Sequence, residues 1–298
     1  MTRSFSPEWV RVEAVKAIAS DDDLMDLLVL KGGFALGVAH SIGSRSSLDL
    51  DYSVAGGVSD QEWLRRRLEE ALTTHFAACD ARVFDVRFER KPPIPRVREG
   101  VIIEGYNFSF KVVPQSQWDR MGGDLEAIRN IAIGIKSDPK GSMSFDPQSS
   151  RSFEIEISAH EQCDGKEIVE VEKVQVFAYT FEMILSEKLR AICQQMPEYA
   201  NPHRRPRARD FYDVFAIMRD RSPTLSSPAF KGILSGAFAA KGVPLGLIGK
   251  IPASRDFHEG DWPAVRSALG AIDRELTFND VVRAVEDVVR ALEPLWNV

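Results

Sequence analysis

The chain has 298 residues, 44% of them hydrophobic and 28% charged, with a formal net charge of −6. That length and apolar share suit one large domain or two smaller ones around a packed core, and argue against a disordered chain. The acidic balance argues against bulk electrostatic binding to nucleic acid, so any such contact must come from a local basic patch.

Along the chain, Pro7 to Ala19 reads as a helix, with Pro7 in its first turn and Val10, Val12, Val15 and Ile18 as apolar contacts. Arg3, Arg11, Glu13 and Lys16 interrupt this region, so no signal-peptide core is expected, and no later run reaches membrane-spanning length. A short second helix over Asp21–Leu28 leads to Lys31 and the glycine pair Gly32-Gly33, followed by a predicted helix over Phe34–His40 that ends at Gly43. From Ser47 to Val54 the pattern alternates: Leu48, Leu50 and Tyr52 on one side, Asp49, Asp51 and Ser53 on the other. Asp60–Ala78 reads as a helix, Arg82–Glu89 and Val101–Val113 as strands, and Trp118–Ile133 as helical. Ser137–Ser152 is a loop by composition, Phe153–Ser158 alternates strictly, and Val169–Val176 reads as one more strand. Thr180 caps a helix over Phe181–Gln194 with Phe181, Ile184, Leu185, Leu189 and Ile192 on one face. A loop over Pro197–Pro206, a helix over Arg207–Arg219 and further helices to Leu295 complete the chain. The change from mixed to helical character sets a boundary near residue 178, giving regions 1–178 and 179–298.

Two carboxylates at i and i+2 on a strand point the same way, about 6.5–7 Å apart. Asp49 and Asp51 so placed can grip metal ions that bridge to phosphate oxygens, the arrangement of two-metal phosphoryl transfer. An isolated D-x-D is more often the solvated face of an edge strand than a metal site. The Gly32-Gly33 turn, the hydroxyls of Ser46 and Ser47 and the cation Arg45 supply the phosphate-binding context. Further down, the segment His203–Arg209 is the densest basic patch, suited to a phosphate backbone or to a triphosphate, and equally to a solvated loop. Cys79, Cys163 and Cys193 and the five histidines show no metal-ligand spacing, so free thiols in a reducing cytoplasm are expected.

LVLKGGFAL followed by RSSLDLD resembles the nucleotidyltransferase motif of the AbiEii/MenT-type toxins, of the DNA polymerase β-like superfamily. SEKLRAI (Ser186–Ile192) and RARDFYDVF (Arg207–Phe215) are similar to two later boxes of that family, and FEIEIS (Phe153–Ser158) to its later acidic strand. Phe34 departs from the small polar residue usual after the paired glycines. The resemblance implies an α+β fold: a polymerase β-like core of mixed sheet with flanking helices over 1–178, then a mainly helical lobe over 179–298 that completes the active site. It implies Asp49, Asp51 and Glu156 (or Glu154) as magnesium ligands, Glu156 also as base, with Lys188 and Asp210 completing the catalytic set. The nucleotide-binding set it implies is Lys31, Gly32, Gly33, Arg45, Ser46, Ser47, Lys188 and Arg209. The function expected is Mg2+-dependent transfer of NMP from a nucleoside triphosphate to an acceptor hydroxyl, RNA and tRNA in particular. The setting would be a cytoplasmic toxin–antitoxin or phage-defence pair with a cognate antitoxin. A protein hydroxyl, a small-molecule (antibiotic) acceptor and a non-catalytic nucleotide-sensing module of the same fold are the alternatives.

Overall fold

A computed structural model describes residues 6–43, 49–98, 100–131, 136–137, 143–144, 152–199, 201 and 203–297. These fall into two compact units, the first within 1–34, 48–96 and 103–178, the second within 35–47, 97–102 and 179–298.

The first unit is built on a sheet of seven strands: β1 (Val29–Lys31), β2 (Leu50–Ser53), β3 (Ala81–Arg90), β4 (Gly105–Pro114), β5 (Phe153–Ser158), β6 (Glu167–Val171) and β7 (Val174–Ala178). Their spatial order is β6-β7-β1-β2-β5-β4-β3. The sheet is mixed: β7 runs parallel to β1 and β2 parallel to β5, while the other neighbours are antiparallel. Alternation decides the faces. Leu50, Tyr52, Phe153, Ile155, Ile157, Phe108 and Phe110 are buried on one side. Helices α1 (Pro7–Ala19) and α3 (Gln61–Ala78) cover that side, with α2 (Asp22–Leu27) between them in the chain. Leu64, Leu68, Leu72 and Phe76, each four residues on from the last, form the buried stripe of α3. The Phe76 ring meets Phe110 at 6.2 Å between centroids, and Phe110 meets Phe153 at 5.7 Å. α1 is buried on nearly every side, including the charged Arg11 and Glu13.

Four elements depart from the sequence expectation, the first being the strand expected over Val101–Val113, which is split into Val101–Ile103 and Gly105–Pro114 in different sheets. The helix after β1 starts at Gly32 rather than Phe34 and widens into a π-helical turn at Ala35–Ala39. In place of one helix over Trp118–Ile133 there are α4 (Gln115–Arg120) and α5 (Leu125–Ile131). Gly122 and Gly123, at φ 59° and 83°, break the run between them. The single strand expected over Val169–Val176 is the hairpin β6–β7. Its two turn residues, Glu172 and Lys173, take positive φ without being glycine or asparagine, which removes the usual composition cue. The expected loop 137–152 lies mostly outside the described residues.

The second unit is helical, with α6 (Phe181–Cys193), α7 (Ala208–Arg221), α8 (Pro228–Ala239) and α9 (Phe278–Ala291) as its longer helices. α6 packs on α7 and α8, and α7 on α9. The Thr180 hydroxyl accepts the Met183 N–H at 3.3 Å, capping α6 where the sequence indicates. No described helix is long and apolar enough to cross a membrane.

Gly105 pairs with Ser158 where β4 meets β5, and a Cβ there would lie 2.6 Å from the Ile157 carbonyl oxygen. That oxygen and the Lys91 carbonyl oxygen, 3.3 Å away, are both backbone atoms, so nothing can swing aside. Gly105→Ala is expected to cost about 1–3 kcal/mol by overpacking, read as a lower urea midpoint with an unchanged denaturant slope.

Candidate active site

The sheet face opposite the aromatic core is polar. Register places Lys31 beside Asp51, Asp51 beside Glu156, Glu156 beside Asn107 and Asn107 beside Glu89. Neighbouring strands lie about 4.8 Å apart, so Asp51 and Glu156 stand side by side on the same face. Asp49 lies two residues before Asp51 and is exposed, as are Glu154 and Glu156. Both glutamates do lie on the wet side of β5, but they are not equivalent. Glu156 is the register partner of Asp51, whereas Glu154 accepts a hydrogen bond from the Asn107 side chain at 3.3 Å.

Gly32 is fixed by this row. It has φ +73°, and a Cβ on it would stand 2.3 Å from Asp51 Oδ2. The chain therefore turns tightly against the Asp51 carboxylate at the one residue that has no side chain to clash. Gly33 and Phe34 continue the turn, buried. Arg45, Ser46 and Ser47 lie outside the described residues.

Lys31 is 6% exposed, and its ammonium lies 3.6 Å from Glu161, itself 6% exposed. Glu161 follows β5 in a segment pinned by backbone bonds: Ala159 N–H to the Glu104 carbonyl, His160 N–H to Gly56 and Glu161 N–H to Val54, at 3.0–3.1 Å. Glu104 anchors that segment through Arg90, Tyr106 and His160. Burial opposes its ionisation, yet the hydrogen bonds from Tyr106, Arg90 and His160 hold its pKa at about 2.

A second buried charge, Arg11 on α1, is 4% exposed with its guanidinium 5.9 Å from the centre of the Phe34 ring. Burial lowers its pKa, opposed by the charges of Glu8 and Asp49. Neither Glu161 nor Arg11 was singled out as a site residue from the sequence. For Arg11 the available signal was a cation inside an apolar helix, and for Glu161 there was none, because its position follows from strand register.

The second unit brings together Lys188 and Asp210, from α6 and α7. The Lys188 ammonium lies 3.0 Å from Asp210 Oδ1 and 2.9 Å from Asp213 Oδ2. Both aspartates are buried, at 2% and 3% exposure, so neither is a surface acid, and Lys188 is not an exposed helix lysine paired with Glu187. Glu187 is bound by Arg190 at 3.1 Å. Burial would raise the Asp210 pKa, but the charges of Lys188, Arg207 and Arg209 outweigh it and hold the group at about 2. Arg209 itself is exposed. The N-terminus of α7 is held by two side chains: Arg207 N–H donates to His258 Nδ1 at 3.0 Å and Ala208 N–H to Asp261 at 2.9 Å. Burial lowers His258 to about 4, so its ring is neutral and accepts that bond at physiological pH.

Asp49, Asp51 and Glu156 offer only carboxylate oxygens. Hard oxygen donors of this type, two of them on neighbouring strands at Asp51 and Glu156, suit Mg2+.

The family model of the nucleotidyl transferase AbiEii toxin, type IV TA system, matches residues 13–288 of the chain. Two solved structures share the fold. A candidate nucleotidyltransferase from H. pylori aligns at TM-score 0.51 and 12% identity, covering 98% of this chain and 95% of that one. JHP933 from Helicobacter pylori aligns at TM-score 0.52 and 13% identity, covering 97% and 91%. No curated protein matches.

Both depressed groups of the second unit favour proton uptake by the unfolded chain. His258 therefore loses stability as pH falls from about 6.5 towards 4, and Asp210 as it falls from about 4 towards 2. Asp210→Asn is expected to remove the lower step, so that about 1 kcal/mol less stability is lost between pH 7 and pH 3 than in wild type, measured by urea titrations at those two pH values.

Proposed function

The chain belongs to the AbiEii nucleotidyltransferase toxin family of type IV toxin–antitoxin systems, and from that premise we propose that it transfers NMP from a nucleoside triphosphate to a hydroxyl of RNA, with tRNA the foremost acceptor. The observation that carries the reading is the register of β2 and β5, which sets Glu156 beside Asp51, with Asp49 two residues before Asp51 in the chain. In the proposed reaction the acceptor oxygen bonds to the α-phosphorus, the bond from that phosphorus to the bridging oxygen breaks, and pyrophosphate leaves. The proton of the acceptor hydroxyl passes to Glu156, which is exposed and free to approach the incoming group. Asp49, Asp51 and Glu156 would hold Mg2+, which when bound favours the deprotonated acceptor and offsets the charge of the leaving pyrophosphate. Gly32 and Gly33 let the backbone approach phosphate, and the buried Lys31–Glu161 pair keeps a cation fixed at the edge of the acidic row.

Lys188 we assign to phosphate neutralisation in the same reaction, with Asp210 and Asp213 holding its ammonium in a fixed position. The exposed Arg205 and Arg209 favour a polyanionic acceptor. The family further suggests a cognate antitoxin protein, and cytoplasmic action in phage defence fits that role.

The test is incubation with Mg2+, total RNA and each nucleoside triphosphate labelled in the α- or the γ-phosphate. Wild type is expected to label RNA from the α-position only, and to lose this when Mg2+ is chelated. Asp49→Ala and Asp51→Ala should lower transfer by at least about a hundredfold. Gly32→Ala should do the same by displacing the Asp51 carboxylate. Nucleotide binding without transfer in wild type would favour the sensing module, and label on a protein or a small hydroxylated acceptor would replace the RNA assignment. Equal transfer by wild type and Asp51→Ala would remove the catalytic role of the acidic row.

A further inference from the structure

We propose that Glu13, His75 and Cys79 form a separate Zn2+ site on the helix-covered side of the first unit, the opposite face of the sheet from Asp51. His75 and Cys79 are four residues apart, on one side of the end of α3, and Glu13 reaches them from α1. Glu13 Oε2 lies 2.6 Å from His75 Nε2 and 3.9 Å from Cys79 Sγ. The three donor atoms all lie within 4.8 Å of one another.

The donor set selects the metal. One imidazole, one thiolate and one carboxylate suit Zn2+, whereas Mg2+ takes oxygen ligands and keeps its water. Tetrahedral bonds of ordinary zinc length put donors roughly 3.3–3.7 Å apart. The His75–Glu13 contact therefore has to open by under about 1 Å, within reach of a small rotamer adjustment.

Three further features fit the role. Glu13 is 6% exposed, and its carboxylate is held in place by His75 and Lys16. Lys16 binds the other oxygen, Oε1, at 2.9 Å, which leaves Oε2 turned toward the two remaining donors. The Lys16 charge is itself balanced by Glu172 at 3.7 Å. His75 keeps 21% side-chain exposure and Cys79 is half-buried, so an ion and a fourth, water ligand have access. Binding releases the thiol proton of Cys79 to solvent and takes the lone pair of His75 Nε2, leaving the ring proton on Nδ1. The metal would staple α1 to α3, two helices that otherwise meet through apolar packing around Trp9 and Phe76.

Cobalt(II) is the probe, because thiolate ligation gives a charge-transfer band in the near ultraviolet. Titration of chelator-treated full-length protein is expected to give that band with one-to-one stoichiometry, and added Zn2+ to abolish it and raise the thermal midpoint by several degrees. Cys79→Ser should remove the band, and His75→Gln should weaken Co2+ binding at least tenfold. Asp51→Asn should leave the band unchanged. No band in wild type, or a band that survives Cys79→Ser, would overturn the assignment.

Discussion

The parallel pairing of Asp51 with Glu156 is the constraint on which the first unit depends. Register in a half-buried sheet cannot slip by one residue without turning every side chain over. On β5 a slip would drive Glu154 and Glu156 into the aromatic core and expose Phe153, Ile155 and Ile157, all within 2% of full burial. Burying an unpaired carboxylate costs several kcal/mol, so the core enforces the alignment of the carboxylates. The acidic row is thus held by the opposite face of its own strands.

The row has a cost that the surrounding residues offset. Carboxylates side by side repel, and the fold answers with fixed cations: Lys31, the register neighbour of Asp51, and Arg11 of α1, which interacts electrostatically with Asp49, each almost wholly buried. Lys31 is paired with Glu161, whose place is set by the backbone bonds of residues 159–161. Gly32 lets the turn pass within contact distance of Asp51. A preorganised charge arrangement of this kind needs little rearrangement when an ion or phosphate arrives, which is where electrostatic catalysis draws its advantage.

The second unit applies the same logic to a single lysine. Two buried aspartates at 2.9–3.0 Å bind the Lys188 ammonium on one side. Removing one partner of such a group leaves buried charge uncompensated. The neutral His258 and the carboxylate of Asp261 cap the helix that carries both aspartates, so helix, aspartates and lysine are positioned as one assembly.

Local pattern was enough to determine much of this from the sequence. The strict alternation of FEIEIS gives β5 and its wet face, the alternation of LDYS gives β2 with Asp51 on its polar side, and Thr180 marks the start of α6. These are features of period and capping, which depend on residues a few positions apart. The family resemblance also rests on ordered local motifs, and the family match bears it out. What only tertiary structure decided are the pairings across long separations. Glu156 rather than Glu154 opposes Asp51, Asp213 joins Asp210 on Lys188, and Glu161 meets Lys31. His75 and Cys79, which show no ligand spacing against the other histidines and cysteines, gain meaning only when α1 sets Glu13 beside them. The hairpin at Glu172-Lys173 escaped for a related reason, since its turn geometry is imposed by the strands on either side and not by its own residues. Side-chain periodicity is written into the chain, whereas proximity between distant residues arises only when burial of the core selects one register and one packing of helices.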